Sequence, residues 1–196
     1  MANRRAISEA DILPWQDYAA ARPEWRRRVG AMKRNRRVQV GPYVTFYFEC
    51  YDTMWLQVQE MLHIERGGAA QLPDELAAYN PLVPQGSELV ATFMIEIDDA
   101  ERRKAVLGRL GGIEESTFIR LGEQTIRGIA EQDQDRTTAE GKASSVQFVH
   151  FPFTAEQVTT LSRGGAPVML GLDHPSYGHM ATIPENVRAE LTRDFG

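Results

Sequence analysis

Apolar and polar positions alternate with a period of two from Leu89 to Ile97. Leu89, Ala91, Phe93, Ile95 and Ile97 take one face, and Val90, Thr92, Met94 and Glu96 take the other. This predicts a half-buried strand. The run Tyr43–Phe48 is dense in aromatic and β-branched residues, which favour a pleated surface, so it predicts another. After it, the i, i+3, i+7 spacing of Trp55, Val58 and Leu62 predicts a helix over 53–66, with Asp52 as N-cap and Gly67 as its left-handed stop. Gln57, Gln59, Glu60 and His63 then spread over the solvated remainder of that helix.

The same patterns fill in the rest of the chain. Thr117–Leu121, Thr125–Ala130, Val146–Phe153 and Val168–Leu172 read as four more strands, with Gly122-Glu123 as a hairpin turn. Pro23 suits the first position of a helix whose buried stripe is Trp25, Val29 and Met32. Further helices are predicted at 72–79, at 100–110 behind Asp98 or Asp99, from Thr154 to Ser162, and over 184–195. The stretch 131–145 has no aliphatic side chain larger than alanine and reads as a polar loop. Strands and helices in irregular order, with a hairpin and no βαβ repeat, predict an α+β fold. The expected architecture is a mainly antiparallel sheet of about six or seven strands covered by helices in a single domain over 1–196; a parallel α/β sheet is the lesser alternative.

Charge changes this picture. The 196 residues carry a net charge of -5, but residues 1–40 hold ten Arg or Lys against four Asp or Glu, and the remainder holds twelve against twenty-three. A basic helical arm over 1–37 therefore accompanies an acidic α+β body over 38–196. One reading is that the arm neutralises the acidic body of its own or a neighbouring subunit, which allows a homodimer. The other is an anion site for phosphate or nucleic acid at Arg26, Arg27, Lys33, Arg34, Arg36 and Arg37. The first is favoured, because the body would repel a polyanion that the arm attracted.

Composition excludes other classes. No apolar run approaches the roughly 20 residues needed to span a bilayer. The two arginines near the start lead into Glu9 and Asp11 rather than an apolar export segment. One cysteine, Cys50, allows no intrachain disulfide and no paired-cysteine motif, and fits a reducing cytoplasm.

Chemistry-bearing residues are few. The phosphate-loop, dinucleotide, zincin and nucleophile-elbow motifs are all missing. The strongest constellation is Asp173-His174-Pro175-Ser176-Tyr177-Gly178-His179, read as a tight polar turn after a strand. Asp173, His174 and His179 could supply carboxylate and imidazole ligands to zinc or iron, with His150, or Glu49 and Cys50, completing the set. The bland alternative is that Asp173 bonds turn amides while Pro175 and Gly178 shape the backbone. His150 lies on a strand apolar on both faces, where a histidine is more often a satisfied core group than a proton-transfer catalyst. Cys50 precedes a helix N-terminus that would lower its thiol pKa, against the opposing effect of neighbouring carboxylates. Glu60 and His63 have the spacing of one half of a di-iron helix motif, without the second pair and the four-helix bundle that motif requires.

The blocks Arg36-Arg37-Val38-Gln39-Val40-Gly41-Pro42, Gln57-Val58-Gln59-Glu60-Met61, Tyr79-Asn80, Ile95-Glu96-Ile97, Gly112-Ile113-Glu114, Phe148-Val149-His150-Phe151-Pro152 and Asp173-His174-Pro175-x-Tyr177 together resemble a bacterial family known only as a domain of unknown function. The likeness covers nearly the whole chain and carries no assigned active-site residue. It implies gene neighbours of two kinds, rubrerythrin and iron–sulfur oxidoreductase subunits related to heterodisulfide reductase. An accessory role in peroxide or thiol redox metabolism, with one of these as partner, would follow. The leading expectation is thus a non-catalytic cytoplasmic accessory or binding protein. A metal-dependent or redox enzyme using the Asp173/His174/His179 turn comes second, and an anion binder third.

Overall fold

In the computed structural model, which describes residues 4–131 and 142–196, the alternating run at Leu89 is the centre of a five-stranded sheet. Along the chain come helix α1 (Trp15–Lys33), strands β1 (Arg37–Val40) and β2 (Val44–Phe48), helices α2 (Tyr51–Glu65) and α3 (Leu72–Tyr79), strand β3 (Glu88–Ile95) and helix α4 (Ala100–Leu107). Then follow β4 (Thr117–Leu121), β5 (Gln124–Arg127), β6 (Ile129–Ala130), β7 (Val146–Pro152), α5 (Ala155–Arg163), β8 (Val168–His174), β9 (Tyr177–Thr182) and α6 (Glu185–Leu191). One sheet has the order β1-β2-β3-β7-β6 and the other β5-β4-β8-β9, and every pairing is antiparallel. The α+β class and antiparallel pairing are as the sequence predicts. The strands, however, form two stacked sheets rather than one.

Side-chain alternation explains the stacking. Leu89, Ala91, Phe93 and Ile95 of β3 join Phe46, Phe151, Ile119 and Leu170 in a core shared by both sheets. Val90, on the opposite face of β3, packs with Tyr18, Trp55, Val58 and Leu82 under the helices. The layers run helices, first sheet, second sheet. Burying side chains the size of Phe, Leu and Ile contributes about 1.5–3 kcal/mol each, so both faces of the first sheet are strongly specified.

The sequence pattern misplaces several boundaries. The predicted strand 125–130 is two strands in different sheets. At Gly128 the chain crosses between them, and a Cβ there would stand 2.0 Å from the Thr117 hydroxyl oxygen and 2.6 Å from Val149 Cγ2. Only glycine fits that crossing. Helix α1 begins at Trp15, so Pro23 sits inside it rather than at its first position. Helix α2 is capped from Cys50, not Asp52. The Thr53 hydroxyl accepts the Cys50 N–H at 2.9 Å, and Arg66, not Gly67, takes the left-handed conformation with φ 57°. Of the polar loop expected over 131–145, residues 132–141 lie outside the described residues.

Candidate functional site

The residues marked by the sequence are found at separate places. Asp173 to His179 is the β8–β9 hairpin, with the expected tight turn at Pro175-Ser176. Asp173 pairs with Arg127 at 2.6 Å. His174 bonds the Gly111 carbonyl at 3.2 Å through Nε2 and accepts the Ser176 N–H at 3.1 Å through Nδ1, an arrangement that suits the neutral ring. Tyr177 donates to the Val40 carbonyl at 2.7 Å and accepts the Tyr43 and Val44 amides at 3.3 Å, fastening β9 to the β1–β2 turn. His179 packs edge-on against the Tyr177 ring. Asp173, His174 and Tyr177 each have a task within the fold, whereas the His179 imidazole and the Ser176 hydroxyl are exposed.

His150 stands in the other sheet, with Nδ1 3.0 Å from Glu88 and Nε2 2.9 Å from Glu131. Its bond to Glu88, supported by Glu131, raises the imidazole above its ordinary pKa despite the opposing effect of burial. His150 shares no partner with His174 or His179. Among the described residues, no group of three or more His, Cys, Asp or Glu side chains is placed to hold a metal ion. The anion-binding candidates also divide. Arg26, Arg27, Arg34 and Arg37 are exposed and Lys33 half-buried, whereas Arg36 is only 2% exposed.

The two ends of α2 each border a cavity. At the N-terminal end a cleft of about 560 Å³ is lined by Arg4, Arg28, Arg36, Cys50, Asp52 and Asp194, among others. Its charges are matched. Arg36 donates to the Phe48 and Glu49 carbonyls, at 3.0 and 2.9 Å, and to the carboxylates of Asp194 and Glu190. Arg4 pairs with Asp11 at 2.8 Å, and Arg193 with Glu190 at 2.8 Å. Cys50 Sγ lies 3.7 Å from the Met32 thioether, and burial pushes its thiol pKa up. Burial thus opposes the lowering that the helix N-terminus and Arg36 would exert on this thiol.

The C-terminal end is built differently. Ile12, Leu13, Trp15 and Tyr18 from the N-terminal segment and α1, together with Leu62, Ala69 and Leu72, line an open cavity of about 470 Å³. Gln59, His63 and Arg66 face it from α2 at i, i+4 and i+7, one stripe of the helix. Its wall is fixed from behind. Glu60 accepts the Tyr18 hydroxyl at 2.5 Å and a two-pronged bond from Arg22 at 2.7 and 2.8 Å. Trp15 stacks on His63 with ring centroids 5.2 Å apart, and the Arg66 guanidinium lies 5.4 Å from the Trp15 centroid. Two buried polar atoms at this wall, Gln59 Nε2 and His63 Nδ1, have no hydrogen-bond partner.

A family model described as "Protein of unknown function (DUF3501)" matches residues 6–195, which takes in both sheets and both ends of α2. The chain belongs to the DUF3501 family. This agrees with the resemblance to an uncharacterised domain family read from the sequence. A crystal structure at 1.90 Å resolution, of a novel protein of unknown function from Burkholderia pseudomallei K96243, matches with a TM-score of 0.90 and 36% identity, over 97% of this chain and 100% of that one. A comparison with curated proteins gives no match.

In this DUF3501 chain the sequence pattern did not single out the polar residues at the C-terminal end of α2. Gln59 was assigned to a solvated face but is 2% exposed, and Glu60 is bound to α1 rather than to water. The available signal was the stripe Gln59, Leu62, His63, Arg66, which mixes apolar and polar residues at core-facing spacing. Its meaning depends on Trp15 and Tyr18, more than 40 residues away.

Proposed function

We propose that this DUF3501 protein is a binding protein that holds a small, largely apolar molecule in the cavity at the C-terminal end of α2, as an accessory that does not transform it. One observation carries the reading: the wall of an apolar cavity leaves the buried Gln59 amide and His63 imidazole with unused hydrogen-bonding atoms. Buried polar groups are nearly always partnered, and an unpartnered one costs about 1–3 kcal/mol, which a ligand would recover once the Gln59 amide or the His63 ring turns toward it. The cavity volume and its mostly apolar lining are those of small-molecule sites. The non-catalytic part is supported by the structural bonds that engage Asp173, His174, Tyr177 and His150, and by the raised thiol pKa of Cys50.

Calorimetric titration with octan-1-ol tests this. Saturable binding is expected for the native chain, and Leu72→Trp, which fills the cavity, should abolish it. Absence of saturable binding of both octan-1-ol and its carboxylate counterparts by the native chain overturns the reading. The resemblance supports a further element of the proposal, that the protein serves redox metabolism beside an iron–sulfur oxidoreductase or rubrerythrin-type partner. Co-purification of an iron-containing protein with the tagged chain tests that element, and its failure removes the redox partner alone.

A further inference from the structure

The stripe on α2 runs from inside to outside. Gln59 is buried, Leu62 and His63 are half-buried, and Arg66 is exposed. At about 1.5 Å of rise per residue, Gln59 and Arg66 are separated by about 10 Å along the helix. The cavity is therefore lined by one buried polar group, Gln59, and one exposed cation, Arg66, about two turns apart.

The cation has no acidic neighbour in the lining. None of the residues lining the cavity is an Asp or Glu. The neighbouring carboxylates are engaged elsewhere, Glu60 with Arg22 and Tyr18, and Glu65 with the Gln71 amide at 2.7 Å. Among the described residues no carboxylate lies within ion-pair distance of Arg66. Its guanidinium rests over the Trp15 ring instead. In a chain of net charge -5, this is an arginine held at an apolar cavity without its counter-ion. It is also the one non-glycine residue with positive φ among the described residues, so the backbone that presents it is strained.

Resting on the binding role proposed above, we infer that the ligand is an elongated monocarboxylate with an apolar body, its carboxylate at Arg66 and a hydroxyl or carbonyl at Gln59. A guanidinium matches a carboxylate two bonds at a time, and a single arginine balances one negative charge. A phosphate dianion would leave charge unmatched, because the wall holds no second arginine or lysine. At Gln59 a hydroxyl, which both donates and accepts, satisfies the amide in either orientation.

Titrations of the full chain at pH 7.5 with octan-1-ol, octanoate and 8-hydroxyoctanoate test the inference. Octanoate should bind at least tenfold more tightly than octan-1-ol, and Arg66→Gln should erase that advantage. The terminal hydroxyl of 8-hydroxyoctanoate should add a further several-fold, which Gln59→Leu removes. Arg66 is exposed, so its variant folds and stands as a control should Gln59→Leu not. Equal binding of octanoate and octan-1-ol overturns the carboxylate inference and leaves the binding role standing. An octanoate advantage that persists in Arg66→Gln overturns the assignment to Arg66. Failure of all three probes removes the binding role itself.

Discussion

Helix α2 ends in two cavities of similar size and opposite character. The cleft at Cys50 is crowded with arginines and carboxylates, yet its ion pairs and carbonyl contacts engage them with one another. The cavity at His63 is nearly apolar, and two polar atoms of its lining residues, Gln59 Nε2 and His63 Nδ1, lack partners. Density of charge is therefore a poor guide to a site. Unmet hydrogen-bonding demand in a concave apolar surface is a better one, because folding removes such demand wherever nothing else requires it.

Mutations at the two ends should accordingly differ in sign. The largest effect is expected at the cleft. Arg36→Met strands the buried Asp194 carboxylate and two backbone carbonyls, and should cost about 3–5 kcal/mol in urea denaturation. A loss below 1 kcal/mol would mean that water already serves these groups, and the contrast between the ends would disappear. Next comes the wall behind the other cavity, where the Arg22 hydrogen bonds hold the Glu60 carboxyl down to about 2, below its ordinary 4.5. A depressed folded pKa gives stability that is complete above pH 4.5 and is lost as pH falls toward 2, here up to about 3 kcal/mol. Glu60→Gln should flatten the stability profile across that acid window while leaving its shape above pH 5 intact.

At the cavity itself, substitutions should stabilise. Gln59→Leu removes a buried, unpartnered amide and should raise stability by about 1 kcal/mol. Arg66→Gly relieves the left-handed backbone and should add at most about 1 kcal/mol in the same assay, less the entropy glycine brings to the unfolded chain. If both variants are instead destabilised, the native residues serve the fold, and the asymmetry along α2 is not functional.

The strands and helices were legible where one residue's neighbours in sequence decide its environment. The alternation at β3 and the stripe of Trp55 and Val58 are of that kind. The surroundings of Asp173 to Tyr177 were not legible for the opposite reason. A hairpin turn and a catalytic loop use the same residue types, and only the approach of Val40 and Gly111 shows the polar atoms to be engaged. Likewise, whether Gln59 meets water or a cavity depends on where α1 docks. Periodicity weighs each residue by its own polarity and has no access to such partners. Gly128 was hidden because the need for it arises from Thr117 and Val149, which press from two strands at once.

That glycine has a mechanical outcome. The run from Gln124 to Ala130 is sewn into one sheet by its first half and into the other by its second, so neither layer can peel away while its companion stays intact. Both should melt in a single step, and a probe placed in either would trace the same curve.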